Sequence, residues 1–127
     1  MTWLEYEMWK WREERYPNMQ LNEYQDKARV YAIYPEDYRI TYPALGLVGE
    51  AGEIANKVKK IMRGDVKPED MEQKKLEVAS EIGDVLWYCA ALAQDIGISL
   101  SVIATQNLDK LENRKQRDAI HGEGDNR

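Results

Sequence analysis

Apolar residues recur along most of this chain at intervals of three and four, which is the period of an α-helix with one buried face. No long segment alternates strictly between apolar and polar residues, as a half-buried strand would. Pro and Gly residues divide the pattern into separate helices. The predicted helices cover residues 2–16, 22–34, 43–62, 68–96 and about 99–117. The predicted fold class is therefore all-α, with four to five helices in a single domain.

The same pattern separates three parts of the chain. Residues 1–19 form a helical extension with several Trp and Tyr residues, 20–117 form the core, and 118–127 form a tail. The last seven residues include no apolar side chain, so we predict a disordered tail. We expect the extension to pack on the domain or on a partner subunit; closing over a ligand base is the alternative. Asn22 fits the N-cap of the second helix, with Gln25 as its capping-box partner.

Composition excludes several classes of function. The 127 residues are 43% hydrophobic and 32% charged, which suits one domain with its own core. The net charge of -5 opposes binding to a nucleic-acid polymer, which needs clustered Lys and Arg. The longest apolar run, 85–93, is too short to span a membrane. The N-terminus lacks the basic start of a secretory signal, and the lone Cys89 suits a reducing compartment, so we expect a cytoplasmic protein.

Two pairs of acidic residues stand out from this background. Glu50 and Glu53 form an E-x-x-E motif, and after 27 intervening residues Glu81 and Asp84 form E-x-x-D. Each pair lies roughly 80° to the same side of the apolar face of its helix. The short connection predicts that the two helices are antiparallel neighbours. Because reversing one helix reverses the sense of rotation, the four carboxylates are predicted to line one groove.

Glycines accompany both acidic pairs. Gly46, Gly49 and Gly52 surround the first pair, and Gly83 lies within the second. Each glycine costs roughly 1 kcal/mol in helix propensity. We therefore expect these positions to be places where another group approaches the helix backbone closely.

Converging carboxylates need positive charge nearby, because mutual repulsion and desolvation oppose their ionisation. Either lysines or metal ions can supply it. In the first interpretation Glu53 pairs with Lys57 and the other carboxylates are solvated. In the second, oxygen ligands without His or Cys favour Mg²⁺, with Mn²⁺ as a substitute. A di-iron site is excluded because it needs Glu-x-x-His pairs, and the sole histidine, His121, lies in the tail.

The two motifs resemble those of the MazG-like branch of the all-α nucleoside triphosphate pyrophosphohydrolases. Residues 46–53 (GLVGEAGE) and 81–86 (EIGDVL) are similar to its two motif helices, and 21–28 (LNEYQDKA) to its first helix. The resemblance covers about residues 20–115. It implies hydrolysis of a nucleoside triphosphate between the α and β phosphates, giving the monophosphate and pyrophosphate.

The resemblance also implies roles for individual residues. Mg²⁺ would bind the residues that match the motif, Glu50, Glu53, Glu81 and Asp84. A carboxylate that is not fully used in coordination can activate the attacking water, and we prefer Glu53 to Glu50 for this role.

The polyphosphate and the nucleoside need further residues. The candidates for binding phosphate are Asn107, Lys110, Asn113 and Arg114 on the fifth helix, with Lys57 and Lys60 on the third. A solvated basic face at a helix C-terminus is the alternative for the fifth helix. Tyr88 occupies the position where relatives carry a Tyr near the sugar, although core packing also explains it. Trp87, Tyr31, Tyr34 and Tyr42 can stack on a base.

The run from Val85 to Ala93 is apolar around its whole helix, which predicts a bundle centre or a subunit interface. We therefore expect a homodimer or homotetramer that binds a nucleotide. Two other hypotheses remain open. The same fold can act on phosphoribosyl-ATP or on an alarmone of the guanosine tetraphosphate type, or the chain can be a helical interaction module without catalysis.

Overall fold

The computed structural model describes residues 2–118 and 120–126, and it has five α-helices and no strand within them. The helices are α1 (Trp3–Arg15), α2 (Leu21–Ala28), α3 (Thr41–Met62), α4 (Met71–Asp95) and α5 (Leu100–Gln116). Short 3₁₀ turns cover Arg29–Tyr31, Glu36–Tyr38 and Pro68–Asp70. The all-α prediction is confirmed.

Helix α4 is the centre of the fold. Helix α3 packs along it, α2 also packs against it, and α5 packs against α2. The buried core there consists of Ala28, Ala90, Ala93 and Leu100, with Tyr24, Trp87 and Ile103 packed against it. These small residues let three helices approach each other closely. The apolar run of α4 therefore lies largely at a centre formed within the chain.

Helix α2 is shorter than predicted. It ends at Ala28, followed by a single 3₁₀ turn, instead of continuing to Tyr34. The indole Nε1 of Trp87 donates a hydrogen bond of 3.2 Å to the carbonyl of Ala28, at the end of the helix. A contact from a distant helix thus satisfies a terminal carbonyl, which local sequence does not reveal.

The predicted N-cap of α2 is wrong, because Asn22 caps a different helix. The N-cap position of α2 is Gln20, whose side chain makes no capping bond. Asn22 Oδ1 instead accepts from the backbone N–H of Ser101, at 3.1 Å. Gln25 Oε1 accepts from the N–H of Leu100 at 2.8 Å, and its Nε2 donates to a carbonyl at residue 98.

The N-cap residue of α5, Ser99, provides a third side-chain cap for the first turn of this helix. Ser99 Oγ accepts from the N–H of Val102 at 3.3 Å. Two side chains from α2 and one local serine therefore fix where α5 begins.

Asp95, the last residue of α4, fastens the start of α3. Its side chain is only 8% exposed, and it accepts hydrogen bonds from Tyr34 Oη at 2.8 Å and from the N–H of Ile40 at 2.9 Å. Ile40 has φ 69° and ψ -56°, and the carbonyl of Arg39 accepts from the N–H of Thr41. This is a γ-turn in a strained conformation, so it needs support from outside the turn. Burial and the hydrogen bond to Asp95 raise the pKa of Tyr34 to about 12.

The N-terminal helix α1 begins with a capping box between Thr2 and Glu5. No residue of α1 is buried, and Trp3 and Trp11 are largely exposed. Among the described residues, no single helix is both long and apolar enough to cross a bilayer. The pair 68–95 and 100–116 passes that test only jointly, with a bend of 103° between its helices.

Replacing Asp95 with Ala should lower the free energy of unfolding by about 1–3 kcal/mol, because the Tyr34 hydroxyl and the Ile40 N–H lose their acceptor. Urea denaturation of the two proteins measures this. The control is Asp65→Ala, at an exposed ion pair with Arg63, which should change stability by less than about 0.5 kcal/mol. Equal effects of the two substitutions would contradict a supporting role for Asp95.

Candidate functional site

Three of the four predicted carboxylates meet where α3 crosses the middle of α4. Glu50, Glu81 and Asp84 each place one carboxylate oxygen within 4.8 Å of the others. Glu50 and Glu81 are half-buried, whereas Asp84 is exposed. We call these three residues the carboxylate cluster. Their oxygens are close enough to share a single cation.

Glu53 lies beside the carboxylate cluster and not within it. It is exposed, one turn after Glu50 on α3. Its charge is nevertheless close enough to raise the pKa of Glu50. The structure thus separates the four motif acids into three that converge and one that flanks them.

The carboxylate cluster is electrostatically strained in the absence of a cation. Desolvation raises the pKa of Glu50, and so do a hydrogen bond with Glu81 and the charges of Asp84, Glu81 and Glu53. Each of these effects disfavours the ionised form. A divalent cation would reverse this effect, since it favours ionised carboxylates.

Lys57 supplies positive charge to the edge of the carboxylate cluster. The sequence suggested an ion pair with Glu53, but the structure shows other partners. Among the described residues, its ion pairs run across to α4, where Nζ lies 3.7 Å from Glu81 Oε1 and 3.9 Å from Glu77 Oε2. Glu77 also binds Lys74 at 2.7 Å, and these contacts lower its pKa. Lys57 therefore neutralises part of the negative charge, but it reaches only one edge of the carboxylate cluster. The cluster is still a candidate cation site.

Tyr88 lies one turn beyond Asp84 on α4, against the backbone of Gly46. A Cβ added to Gly46 would overlap the Tyr88 ring. The prediction of close approach is confirmed at this glycine alone. It is wrong for Gly49, Gly52 and Gly83, where a Cβ would have no neighbour within 4 Å. Those three glycines face open space on the helix surface.

Aromatic side chains form a cavity of about 350 Å³ next to Tyr88. Its lining comprises Tyr31, Ile33, Tyr34, Pro35, Tyr42, Trp87 and Tyr88. The rings of Tyr34 and Tyr42 stack with their centroids 4.8 Å apart, and Trp87 meets Tyr88 edge-on at 5.1 Å. All four aromatic residues that the sequence offered as base-stacking candidates therefore lie in one place. Desolvation and the neighbouring Tyr42 raise the pKa of Tyr88.

The predicted phosphate-binding residues of α5 are not brought to the carboxylate cluster of the same chain. Lys110 lies 3.2 Å from Asp125 Oδ1, and the buried Arg114 donates to the carbonyl and the carboxylate of the same tail residue. Asn113 accepts from Arg117 at 2.7 Å. Because α5 turns 103° away from α4, Lys110 and Asp84 are separated by roughly 20 Å at a rise of about 1.5 Å per residue. Asn107 and Lys60 are exposed.

Comparison with known proteins identifies the family. A family model described as the MazG nucleotide pyrophosphohydrolase domain matches residues 41–117, which is more than half of the chain and includes both acidic motifs. The chain belongs to the MazG family. It is also 44% identical over 115 residues to Gene 37 protein of Mycobacterium phage L5, covering 86% of this chain and 100% of that relative. No solved structure matches significantly.

The MazG match gives the carboxylate cluster its context. The family model is described as a nucleotide pyrophosphohydrolase domain, a name that means hydrolysis of nucleotides at a pyrophosphate bond. Members of the family generally depend on a metal ion. The residues present fit such a metal: three hard oxygen donors converge, and desolvation and the neighbouring carboxylates raise the pKa of Glu50. The matched segment begins at the first residue of α3, so α2 lies outside it.

Replacing Gly46 with Ala should lower the free energy of unfolding by about 1–3 kcal/mol, because the Tyr88 ring must move to admit the new methyl group. Gly49→Ala is the matched control on the same helix. It should instead stabilise the protein by about 0.5–1 kcal/mol, since the site is open and Ala favours the helix. Urea denaturation distinguishes the two signs. Stabilisation by both substitutions would contradict the contact between Tyr88 and Gly46.

Glu50 should make the metal-free protein less stable as pH rises. Its folded-state pKa is raised, so the folded state holds the proton more tightly, and stability falls between the ordinary Glu value and the raised one. Glu50→Gln should remove this fall and raise the melting temperature at neutral pH. Glu72→Gln is a control of opposite sign: Lys75 lowers the pKa of Glu72, so its loss should reduce stability at neutral pH. Thermal melts in chelator across this pH range test both.

Proposed function

We propose that this protein hydrolyses nucleoside or deoxynucleoside triphosphates to the monophosphate and pyrophosphate, with Mg²⁺ as cofactor and Mn²⁺ as a substitute. Its role would be control of the nucleotide pool in the cytoplasm. The observation that carries the proposal is the convergence of Glu50, Glu81 and Asp84 in a chain of the MazG family. No other group of carboxylates among the described residues comes together in this way.

In this proposal Glu50, Glu81 and Asp84 would bind the metal, and Glu53 would act as the general base for the attacking water. Bound Mg²⁺ supplies charge neutralisation of the phosphates and activation of water. Glu53 stands one helical turn from Glu50 and outside the carboxylate cluster, so its carboxylate is suited to orient a water and accept its proton. Glu50 is the alternative base, but its place within the cluster favours coordination.

Lys57 is the best-placed cation for the substrate. Its Nζ lies 3.7 Å from Glu81 Oε1. If Glu81 held a metal, Lys57 would be available to direct its ammonium group toward a phosphate oxygen. Lys60, one turn further along α3, would assist from an exposed position. The α5 residues Asn107, Lys110, Asn113 and Arg114 would serve only from a second copy of the chain, in a homodimer or homotetramer.

The aromatic cavity is our candidate for the nucleoside. It adjoins Tyr88, which connects it to the Asp84 end of the carboxylate cluster. Its volume of about 350 Å³ is within the range of small-molecule sites. Tyr88 would contact the sugar, while Tyr31, Tyr34, Tyr42 and Trp87 would stack on the base. Stacking accepts any base, so selectivity would have to come from polar groups at the rim.

Pyrophosphate release from a panel of nucleotides, with and without Mg²⁺, tests the proposal. The panel includes the common (deoxy)nucleoside triphosphates, phosphoribosyl-ATP and a guanosine tetraphosphate. We expect Mg²⁺-dependent release from triphosphates. Asp84→Asn and Glu53→Gln should each lower kcat by at least about 100-fold, the scale of losing a general base or a charge-stabilising group.

Glu77→Gln is the matched control, because Glu77 lies on α4 one turn before Glu81 but outside the carboxylate cluster. It should retain activity within a few-fold. Mg²⁺ should also raise the melting temperature of the wild type, by mass action, and not that of Asp84→Asn. Absence of turnover on every nucleotide in the presence of Mg²⁺ would refute the enzyme, and equal activity of all three variants would refute the site.

A further inference from the structure

Asp95 connects three parts of the chain at the C-terminal end of α4. Its Oδ2 accepts hydrogen bonds from Tyr34 Oη at 2.8 Å, in the segment after α2, and from the N–H of Ile40 at 2.9 Å, just before α3. Arg39 Nε lies 3.5 Å from Oδ1 of the same carboxylate. The Asp95 side chain is 8% exposed, so these partners replace most of its contact with water. Asp95 therefore fixes this segment and the start of α3 relative to α4.

Two aromatic rings are placed by these contacts. Tyr34 is bonded directly through its hydroxyl, and Tyr42 lies two residues after Ile40, in the first turn of α3. Pro43, next in the chain, is almost completely buried, which limits the movement of that turn. The two rings stack with their centroids 4.8 Å apart and their planes 23° from parallel. One carboxylate therefore positions both members of a stacked pair.

The stacked pair forms one wall of the aromatic cavity. A centroid separation of 4.8 Å is that of rings in contact, so no third ring fits between Tyr34 and Tyr42. A planar group in the cavity would have to stack on the outer surface of this pair, or against Trp87 and Tyr88, which also line the cavity. Tyr42 lies 6.3 Å from Tyr88, with the two ring planes tilted by 48°. The orientation of the wall therefore decides the angle at which a planar ligand meets these rings.

Asp95 touches neither the carboxylate cluster nor the cavity itself. It follows Asp84 by eleven residues on the same helix, about 16 Å along the axis. The described lining of the cavity includes Tyr34 but not Asp95. Any effect of Asp95 on a ligand in the cavity would therefore pass through the Tyr34 hydroxyl and the turn at Ile40. A hydrogen bond to an ionised acceptor is about twice as strong as one to a neutral acceptor, which suits this role.

We infer that Asp95 is a positioning residue for the nucleoside, because it orients the wall formed by Tyr34 and Tyr42 before a ligand arrives. This inference rests on the proposed function, in which the aromatic cavity receives the nucleoside. A wall that is already ordered spares the ligand the cost of ordering these side chains. Asp95 therefore contributes to affinity for the base and not to chemistry at the carboxylate cluster.

Tyr34→Phe tests this inference with the least disturbance, because it removes the hydroxyl and keeps the ring. The KM for nucleoside triphosphates should rise by about 3- to 10-fold, up to the scale of one hydrogen bond to a charged group, while kcat stays within about 2-fold. Calorimetry with the two reaction products separates the base from the phosphates. The Kd of a nucleoside monophosphate should rise by about the same factor as KM, and the Kd of pyrophosphate, which has no base, should not change.

Asp95→Asn and Asp95→Ala form a pair that tests rescue. Asn keeps an oxygen acceptor but loses the charge, so its KM should lie between those of the wild type and Asp95→Ala. Tyr38→Phe is the matched control, since Tyr38 lies in the same connection between α2 and α3, is 56% exposed and is not among the lining residues. It should leave KM and kcat unchanged. Thermal melts set an assay temperature at which the variants are folded; if Asp95→Ala does not fold, Tyr34→Phe and Asp95→Asn decide.

Unchanged KM and unchanged monophosphate Kd in Tyr34→Phe and Asp95→Asn would overturn the inference. Equal weakening of monophosphate and pyrophosphate would also overturn it, because a general loss of structure affects both ligands. The proposed function can fail separately. A wild type that binds monophosphates but hydrolyses no triphosphate would refute the enzyme, and the Kd values would still decide the role of Asp95. Turnover with an unchanged KM in Tyr34→Phe would retain the enzyme and reject the positioning role.

Discussion

The ring of Tyr88 lies on the bare backbone of Gly46, and this contact sets the register of α3 against α4. From that point along the antiparallel pair, Glu50 falls level with Glu81 and Asp84, and Lys57 falls level with Glu77. A shift of one helical turn, about 5.4 Å, would separate the three carboxylates. Close packing at one glycine is therefore linked to the place where charge converges, one to two turns away.

The arrangement that results brings like charges together. Three carboxylates converge, two of them half-buried, and desolvation and the neighbouring charges raise the pKa of Glu50. Lys57 offsets part of this repulsion, but only at the edge formed by Glu81. A fold selected for stability alone would have placed a second lysine in the groove, or an apolar pair. Uncompensated charge of this kind is typical of sites that bind cations.

Periodicity and spacing were sufficient to predict that the chain is helical, that α3 and α4 are antiparallel, and that three of the four motif acids meet on one side of this pair. These features follow from the angles at which side chains project around a single helix, and those angles can be calculated from the positions of residues in the sequence. The features that escaped prediction depend on contacts between distant segments: Trp87 ending α2, Asn22 capping α5, and Asp95 supporting the γ-turn at Ile40. Asp95 reads in the sequence as an ordinary surface acid at the end of a helix. The direction of α5 could not be predicted for the same reason. The bend of 103° between α4 and α5 does not change the hydrophobic periodicity of either helix.

The capping of α5 has a consequence for how the protein handles phosphate. The free N–H groups of a helix N-terminus are a common place to bind phosphate, because they combine hydrogen-bond donors with the positive end of the dipole. In α5 those donors are already taken by Gln25, Asn22 and Ser99. The N-terminus of α5 is therefore not open to an anion. A polyanion near this end of α5 would have to be held by side-chain ammonium or guanidinium groups or by bridging cations, which would make its binding sensitive to ionic strength.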